Sequence, residues 1–128
     1  MLEEYIPLVE QAIRFSPRDP MIGVWFGRIG LAHLLQSHFD EAIHWLEKAR
    51  NASPALPYVH ARLAAAYALK GETKRAAAEL AGARSLRGDD HYSSIARLRA
   101  EYLGVPKIHA LYESVYFAGL RMAGLSEE

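Results

Sequence analysis

The sequence of 128 residues contains no cysteine, so it can form neither a disulfide framework nor a cysteine-ligated metal site. No apolar run approaches the ~20 residues that a transmembrane helix needs. The acidic Glu3 and Glu4 near the N-terminus are unlike the basic start of a secretory signal. Because the absence of thiols also fits a reducing compartment, we expect a cytoplasmic chain that does not enter a membrane.

The sequence also lacks net charge, with fifteen Lys and Arg residues against fifteen Asp and Glu residues. Neutrality disfavours a general nucleic-acid binder, since such proteins carry a basic excess. The charge is nevertheless uneven. Residues 60–107 contain nine basic and five acidic residues, whereas residues 1–20 and residues 108–128 each have a net charge of −2. Neutrality is therefore an average over acidic ends and a basic centre.

Patterns typical of β-strands are almost absent, and helix-forming residues dominate the sequence. Residues 40–50 are an example of the helical pattern. Their apolar members recur at the spacing of one helix face: Ala42, Ile43, Leu46 and Ala49. The sequence therefore predicts an all-α fold in a single domain over residues 1–128.

The helical segments repeat along the chain. Residues 2–17 align with residues 39–54 at an offset of 37. Residues 27–33 align with residues 61–67 at an offset of 34, and the latter align with residues 96–102 at an offset of 35. A period near 34 is typical of arrays in which pairs of helices stack.

The repeating residues resemble the tetratricopeptide repeat (TPR), whose pattern is W-x2-L-G-x2-Y followed by A-x3-F, A and P. One complete unit spans residues 23–56 and matches with Phe26, Ile29, Gly30, His33, Ala42, Leu46, Ala49 and Pro54. A second spans residues 57–90 and matches with His60, Leu63, Ala64, Tyr67, Gly71, Ala76, Leu80 and Ala83. The resemblance implies a TPR-like helical repeat array, with small residues where the two helices of a unit approach closely.

The resemblance divides the chain into about two and a half units and a C-terminal capping helix. These are a half unit at 2–17, repeats at 23–56 and 57–90, a half unit at 91–103 and the capping helix at 105–125. Moreover, AIRFSPRDP (residues 12–20) and FAGLRMAGL (residues 117–125) are similar to the C-terminal TPR segments of proteobacterial class III adenylate cyclases. That similarity implies a longer signalling protein whose nucleotidyl cyclase domain lies upstream of this chain.

Motifs that carry catalysis are missing. The sequence has no P-loop, no GxGxxG and no GxSxG motif. The six histidines form no i, i+4 pair and no HExxH motif, and two of them, His33 and His60, stand where the repeat takes an aromatic packing residue. We therefore expect no enzymatic activity, no cofactor and no metal site in this chain.

Three arginines, Arg28, Arg62 and Arg97, recur at equivalent positions of successive first helices. In TPR proteins first helices line a concave groove, so the resemblance implies a row of guanidinium groups there, flanked by the aromatic residues Trp25 and Tyr58. Guanidinium groups suit the carboxylates of an acidic peptide. The alternative is that each arginine pairs with a neighbouring glutamate or is simply solvated, and repeat duplication would then explain the spacing.

Two functions follow as hypotheses. The first is a protein-interaction module that binds a peptide or a domain in its groove, as a regulatory or scaffold segment of a larger signalling protein. The second is self-association into a homodimer without an external ligand. Self-association would use Tyr5 on the N-terminal helix or the stripe formed by Tyr112, Tyr116 and Phe117.

Overall fold

The computed structural model of the protein describes residues 2–88, 91–102 and 104–128. This part of the chain is all-helical and contains no strand, which confirms the predicted all-α class. The helices are, in chain order, α1 (Leu2–Phe15), α2 (Ile22–Leu35), α3 (Phe39–Ala52), α4 (Pro57–Leu69), α5 (Thr73–Leu86), α6 (Ile95–Ala100), α7 (Pro106–Leu111), a π-helical segment (Tyr112–Phe117) and α8 (Ala118–Ala123). None of the described helices combines the length and the apolar character that crossing a bilayer requires.

Two helical hairpins, α2–α3 and α4–α5, form the centre of the molecule, and α1 packs against α2. Ser37 and Gly71 occupy equivalent places in the two hairpin turns, with left-handed φ angles of 63° and 86°. The residue after each of them donates its backbone N–H to the carbonyl five residues earlier, at 2.9 Å in the first turn and 2.8 Å in the second. The two turns therefore share one backbone geometry at an offset of 34 residues.

We predict opposite stability changes for exchanging the residues of the two turns. Ser37→Gly should raise the free energy of unfolding by about 0.5–1 kcal/mol, because a side chain is strained at a left-handed φ. Gly71→Ser should lower it by a similar amount. Urea denaturation of the two variants measures both effects, and changes of the same sign would contradict the shared geometry of the turns.

Equivalent positions of the two hairpins are buried in the core. Gly30 illustrates why small residues are needed between α2 and α3, since a Cβ atom there would lie 2.5 Å from Leu46 Cγ. Three further pairs of matched positions are fully buried in both hairpins: Ile29 and Leu63, Ala42 and Ala76, Ala49 and Ala83. Close helix packing through small residues thus holds each hairpin together.

Residues 106–123 run continuously through α7, the π-helical segment and α8, and are called the C-terminal helix below. The helix begins at Pro106 and lies within the range 105–125 expected for a capping helix. Its last part, α8, packs along α4, where a Cβ atom on Gly119 would lie 2.7 Å from the Ala65 carbonyl oxygen. Its π-helical segment contacts both α2 and α4. The C-terminal helix therefore covers the face that α2 and α4 form together.

The region of the predicted half unit 91–103 contains only the short helix α6, preceded by a turn. The last residue of that range lies outside the described residues, as do the last two of the predicted unit 57–90. Ser94 caps α6, because its hydroxyl accepts the backbone N–H three residues later at 3.1 Å. The first two N–H groups of α6 donate to the carbonyls of Ser126 and Glu127, both at 2.8 Å. The C-terminal tail is thus fixed to α6.

Candidate functional site

Two cavities flank the C-terminal helix where it crosses the face of α2 and α4. Ile108 and Tyr112 of that helix contribute to the walls of both. The larger cavity has a volume of about 490 Å³ and the smaller about 200 Å³. The larger cavity is within the range of roughly 300–1,000 Å³ that is typical of ligand pockets, whereas the smaller is below it.

The larger cavity lies between α4, residues 91–102 and the C-terminal helix. Most of its wall is aromatic: Tyr58, Tyr92, Tyr102, Tyr112, Tyr116 and Phe117. Three other residues of the wall carry a cationic, an imidazole or a carboxylate group: Arg62, His91 and Glu101. Aromatic side chains provide a large contact area at low entropic cost, which suits recognition of another molecule.

Arg62 provides the positive charge of the larger cavity. Its Nη1 donates to the backbone carbonyl of Gly27 at 3.2 Å, and its guanidinium carbon lies 4.6 Å from the centroid of the Tyr58 ring. No carboxylate in the described part of the chain pairs with it. Because a guanidinium has five N–H donors, Arg62 keeps donors for an incoming anion while its orientation is fixed.

Glu101 is the acidic residue among the described residues that line the larger cavity, and its carboxylate is already paired. It lies in close contact with His91 Nδ1 and 3.0 Å from Arg97 Nη2. Since the Arg97 cation offsets the negative charge of Glu101, Arg62 is the main positive charge that a ligand would meet in the cavity. The pairing also explains the position of Arg97, which does not line the cavity and instead forms an i, i+4 ion pair on α6.

Arg28 lies at the smaller cavity, together with Tyr5 and with Leu31 and Leu35 of α2. Its guanidinium carbon is 5.3 Å from the ring centroid of Trp25, so both α2 and α4 carry an arginine beside an aromatic ring. Of the row predicted from the sequence, the structure brings Arg28 and Arg62 to one face. The third arginine, Arg97, forms an ion pair with Glu101 and does not line either cavity.

Three tyrosines and a phenylalanine of the larger cavity form a connected set of rings. The Tyr112 ring centroid lies 4.8 Å from that of Tyr102, 5.5 Å from that of Tyr116 and 6.0 Å from that of Phe117. Burial raises the pKa of the Tyr92 and Tyr116 hydroxyls above the ordinary value. Like an unperturbed tyrosine, both phenols are neutral near pH 7, so they add no negative charge to the wall of the cavity.

The stripe predicted for self-association is largely occupied within the chain. Tyr116 and Phe117 are buried, the latter with 1% of its surface exposed, and Tyr112 is half-buried among the other rings. The side chains of Tyr116 and Phe117 are therefore unavailable to a second copy, which corrects their predicted role in self-association. Exposed apolar side chains occur instead on α1, where Leu8 and Phe15 are 65% and 79% exposed.

The sequence did not reveal two features of the site. Tyr92 and Tyr102 of the larger cavity carry no motif, and only the return of the C-terminal helix brings them opposite Arg62. The second feature is a cluster of His33, His38 and Glu41 at the α2–α3 turn, whose ligand atoms lie within 4.8 Å of one another. Its histidines are five residues apart, which is not a spacing that a helix alone would bring together.

The resemblance to TPR proteins rests on helix-packing residues such as Gly30 and Leu46, which carry no information about a ligand. A comparison with protein-family models finds none that matches the chain, and a comparison with curated proteins finds no match either. The two cavities beside the C-terminal helix are therefore the features that bear on function.

Proposed function

We propose that the chain is a protein-interaction module that binds an acidic segment of a partner at the two cavities beside the C-terminal helix. The observation that carries this proposal is Arg62, a cation held at an aromatic cavity of about 490 Å³ without a carboxylate partner among the described residues. A carboxylate of the partner would accept from Arg62, and the apolar part of the same segment would contact the surrounding rings.

Arg28 extends the proposed binding face to the smaller cavity. Ile108 and Tyr112 separate the two cavities, so a segment that contacts both arginines has to cross these two side chains. An extended peptide with two acidic residues, one for each cavity, fits this arrangement. Tyr58 and Trp25 hold the two guanidinium groups from one side, which leaves the donors on the other edges for the partner.

As part of this proposal, the all-helical fold is more specifically a TPR-like array. Its support is the common geometry of the α2–α3 and α4–α5 turns, and the burial of the same small residues in both hairpins. The parent protein proposed from the resemblance is a class III adenylate cyclase, in which this chain would be a regulatory or scaffold segment. Reading the coding sequence upstream of Met1 for a cyclase domain tests that assignment.

A peptide array tests the interaction directly. The probe is a set of 12-residue peptides that combine Asp or Glu with Leu, Phe or Tyr, and the readout is the dissociation constant of the best binder. Arg62→Gln should weaken binding at least tenfold, because a hydrogen bond to a charged group contributes about 1.5–3 kcal/mol. Arg62 makes one long hydrogen bond within the described chain, 3.2 Å to the Gly27 carbonyl, so the thermal midpoint should change little.

Lys74→Gln serves as the matched control, since Lys74 is an exposed cation on α5 and lines neither cavity. It should leave the dissociation constant unchanged. Equal loss in the two variants would mean that binding depends on net charge alone and would contradict a specific site at Arg62. Failure of every acidic peptide to bind would also contradict the proposal.

Self-association through α1 is the second candidate, and the exposure of Leu8 and Phe15 on this helix favours it. Light scattering over a range of concentrations distinguishes the two functions. A dimer that Phe15→Ser dissociates would support self-association, whereas a monomer at high concentration would exclude it.

A further inference from the structure

The turn between α2 and α3 brings together three side chains that can ligate a metal ion. His33 lies in the last turn of α2, His38 is the N-cap of α3, and Glu41 lies in the first turn of α3. The left-handed Ser37 reverses the chain between the two histidines, and the His38 N–H donates to the His33 carbonyl at 2.9 Å. A tight, hydrogen-bonded turn therefore fixes the backbone under all three side chains.

The distance between the two imidazole nitrogens fits one small metal ion. The Nδ1 atoms of His33 and His38 are 3.4 Å apart. Two nitrogens bound to a tetrahedral zinc at about 2.0–2.1 Å would lie roughly 3.3–3.4 Å from each other. The Glu41 carboxylate completes the group, since all three ligand atoms lie within 4.8 Å of one another.

The repeated architecture of the chain shows that the fold does not require this cluster. The turn between α4 and α5 has the same backbone geometry, and its equivalent residues at an offset of 34 are Tyr67, Glu72 and Arg75. That set offers a single carboxylate, and the Arg75 cation lies 3.5 Å from it as an ion pair. The combination of two imidazoles and one carboxylate is thus particular to the α2–α3 turn.

We propose that His33, His38 and Glu41 form a binding site for a divalent transition metal, with zinc as the ion that best fits the ligand set. Two imidazoles and a carboxylate are a known zinc ligand combination, and a solvent molecule would take the fourth position because His38 and Glu41 are exposed. The bound ion would connect the end of α2 to the start of α3.

The protonation state of His33 suits this role. Burial and then the neighbouring His38 lower the pKa of the His33 imidazole, although Glu41 acts in the opposite direction. The ring is therefore neutral near pH 7, which is the form that binds a metal ion. This support is additional, because the site stands on the arrangement of the three ligand atoms.

Titration calorimetry with zinc sulfate tests the site on the full chain, purified without a polyhistidine tag and treated with chelator. We expect one zinc ion per chain, and a cobalt(II) complex whose visible absorption reports a nitrogen- and oxygen-ligated tetrahedral ion. His38→Gln and Glu41→Gln should each weaken zinc binding by at least about tenfold, since even changes beyond the direct ligands cost 10–100-fold. Zinc should also raise the thermal midpoint of the unaltered protein.

His44→Gln is the control, because His44 is an exposed histidine of α3 outside the cluster. It should leave the zinc affinity unchanged, and all three variants should unfold at similar temperatures in the presence of chelator. Absence of zinc binding, or an equal loss of affinity in the His44 variant, would overturn the proposal. The result is independent of the peptide-binding experiment, since neither Arg62 nor the cavities take part.

Discussion

Phe117→Ala is expected to lower the free energy of unfolding by about 3–5 kcal/mol, the usual cost of truncating a fully buried phenylalanine. The side chain is 1% exposed and packs in the π-helical segment against Tyr112 and Tyr116, with ring centroids 6.0 Å and 5.6 Å away. Its removal would leave a cavity between the C-terminal helix and the face of α2 and α4. Such a loss is a large part of the stability of a domain of this size.

Guanidinium denaturation of Phe117→Ala and Phe15→Ala measures this effect with a matched control. Phe15 is 79% exposed on α1, so the same substitution there should change stability by no more than about 0.5 kcal/mol. If instead Phe117→Ala were as stable as the unaltered chain and changed only its oligomeric state, the residue would belong to an interface between copies. The placement of the C-terminal helix would then be wrong.

Gly119→Leu is expected to detach α8 from α4. A Cβ atom at this position would lie 2.7 Å from the carbonyl oxygen of Ala65 and 2.8 Å from its Cβ. Since both neighbours belong to a buried alanine of α4, neither can move away as a flexible side chain would. Overpacking of this kind costs about 1–3 kcal/mol, and the larger value is expected here because two helix backbones would have to separate.

Hydrogen exchange measures the consequence of Gly119→Leu along the chain. Amides of residues 106–123 should exchange faster in the variant, while those of the α2–α3 hairpin should keep most of their protection. Ala110→Leu is the control, because Ala110 is an exposed residue of the same helix. Unchanged protection in the Gly119 variant would contradict the close packing of α8 on α4.

The two hairpins could be predicted from the sequence because their determinants are local. Apolar spacing placed Ala42, Leu46 and Ala49 on one helix face, and all three are buried. Gly71 matches the repeat pattern, and it has a left-handed φ in the tight turn of the second hairpin. Ser37 stands 34 residues before Gly71 and shares its conformation, although serine by itself does not indicate a left-handed φ.

The return of the C-terminal helix over α2 and α4 could not be predicted in this way. It depends on contacts between residues far apart in the chain, such as Gly119 with Ala65. Helix propensity and apolar spacing describe each helix but not its neighbour in space. For the same reason the sequence placed Arg28, Arg62 and Arg97 in one row, whereas residue 97 is paired with Glu101 on the short helix α6.

The cluster at the α2–α3 turn escaped prediction for a related reason. In a sequence, histidine ligands are recognised by an i, i+4 spacing on one helix. His33 and His38 do not have this spacing, because a chain reversal brings them together. The general signal is a pair of ligating residues that flank a residue with a left-handed φ. In this chain the aromatic positions of the repeat concealed it, because His33 was expected to replace a packing aromatic residue.

A double-mutant cycle between Arg62 and its partner's carboxylate tests the central claim most directly. The partner is the acidic peptide that binds best, together with an analogue in which one acidic residue is replaced by its amide. The dissociation constant of each peptide is measured with the unaltered protein and with Arg62→Gln, which gives four values. The account predicts a coupling energy of about 1.5–3 kcal/mol for one acidic position of the peptide. Additive effects at every acidic position would show that Arg62 contacts no carboxylate, and would contradict the proposed function.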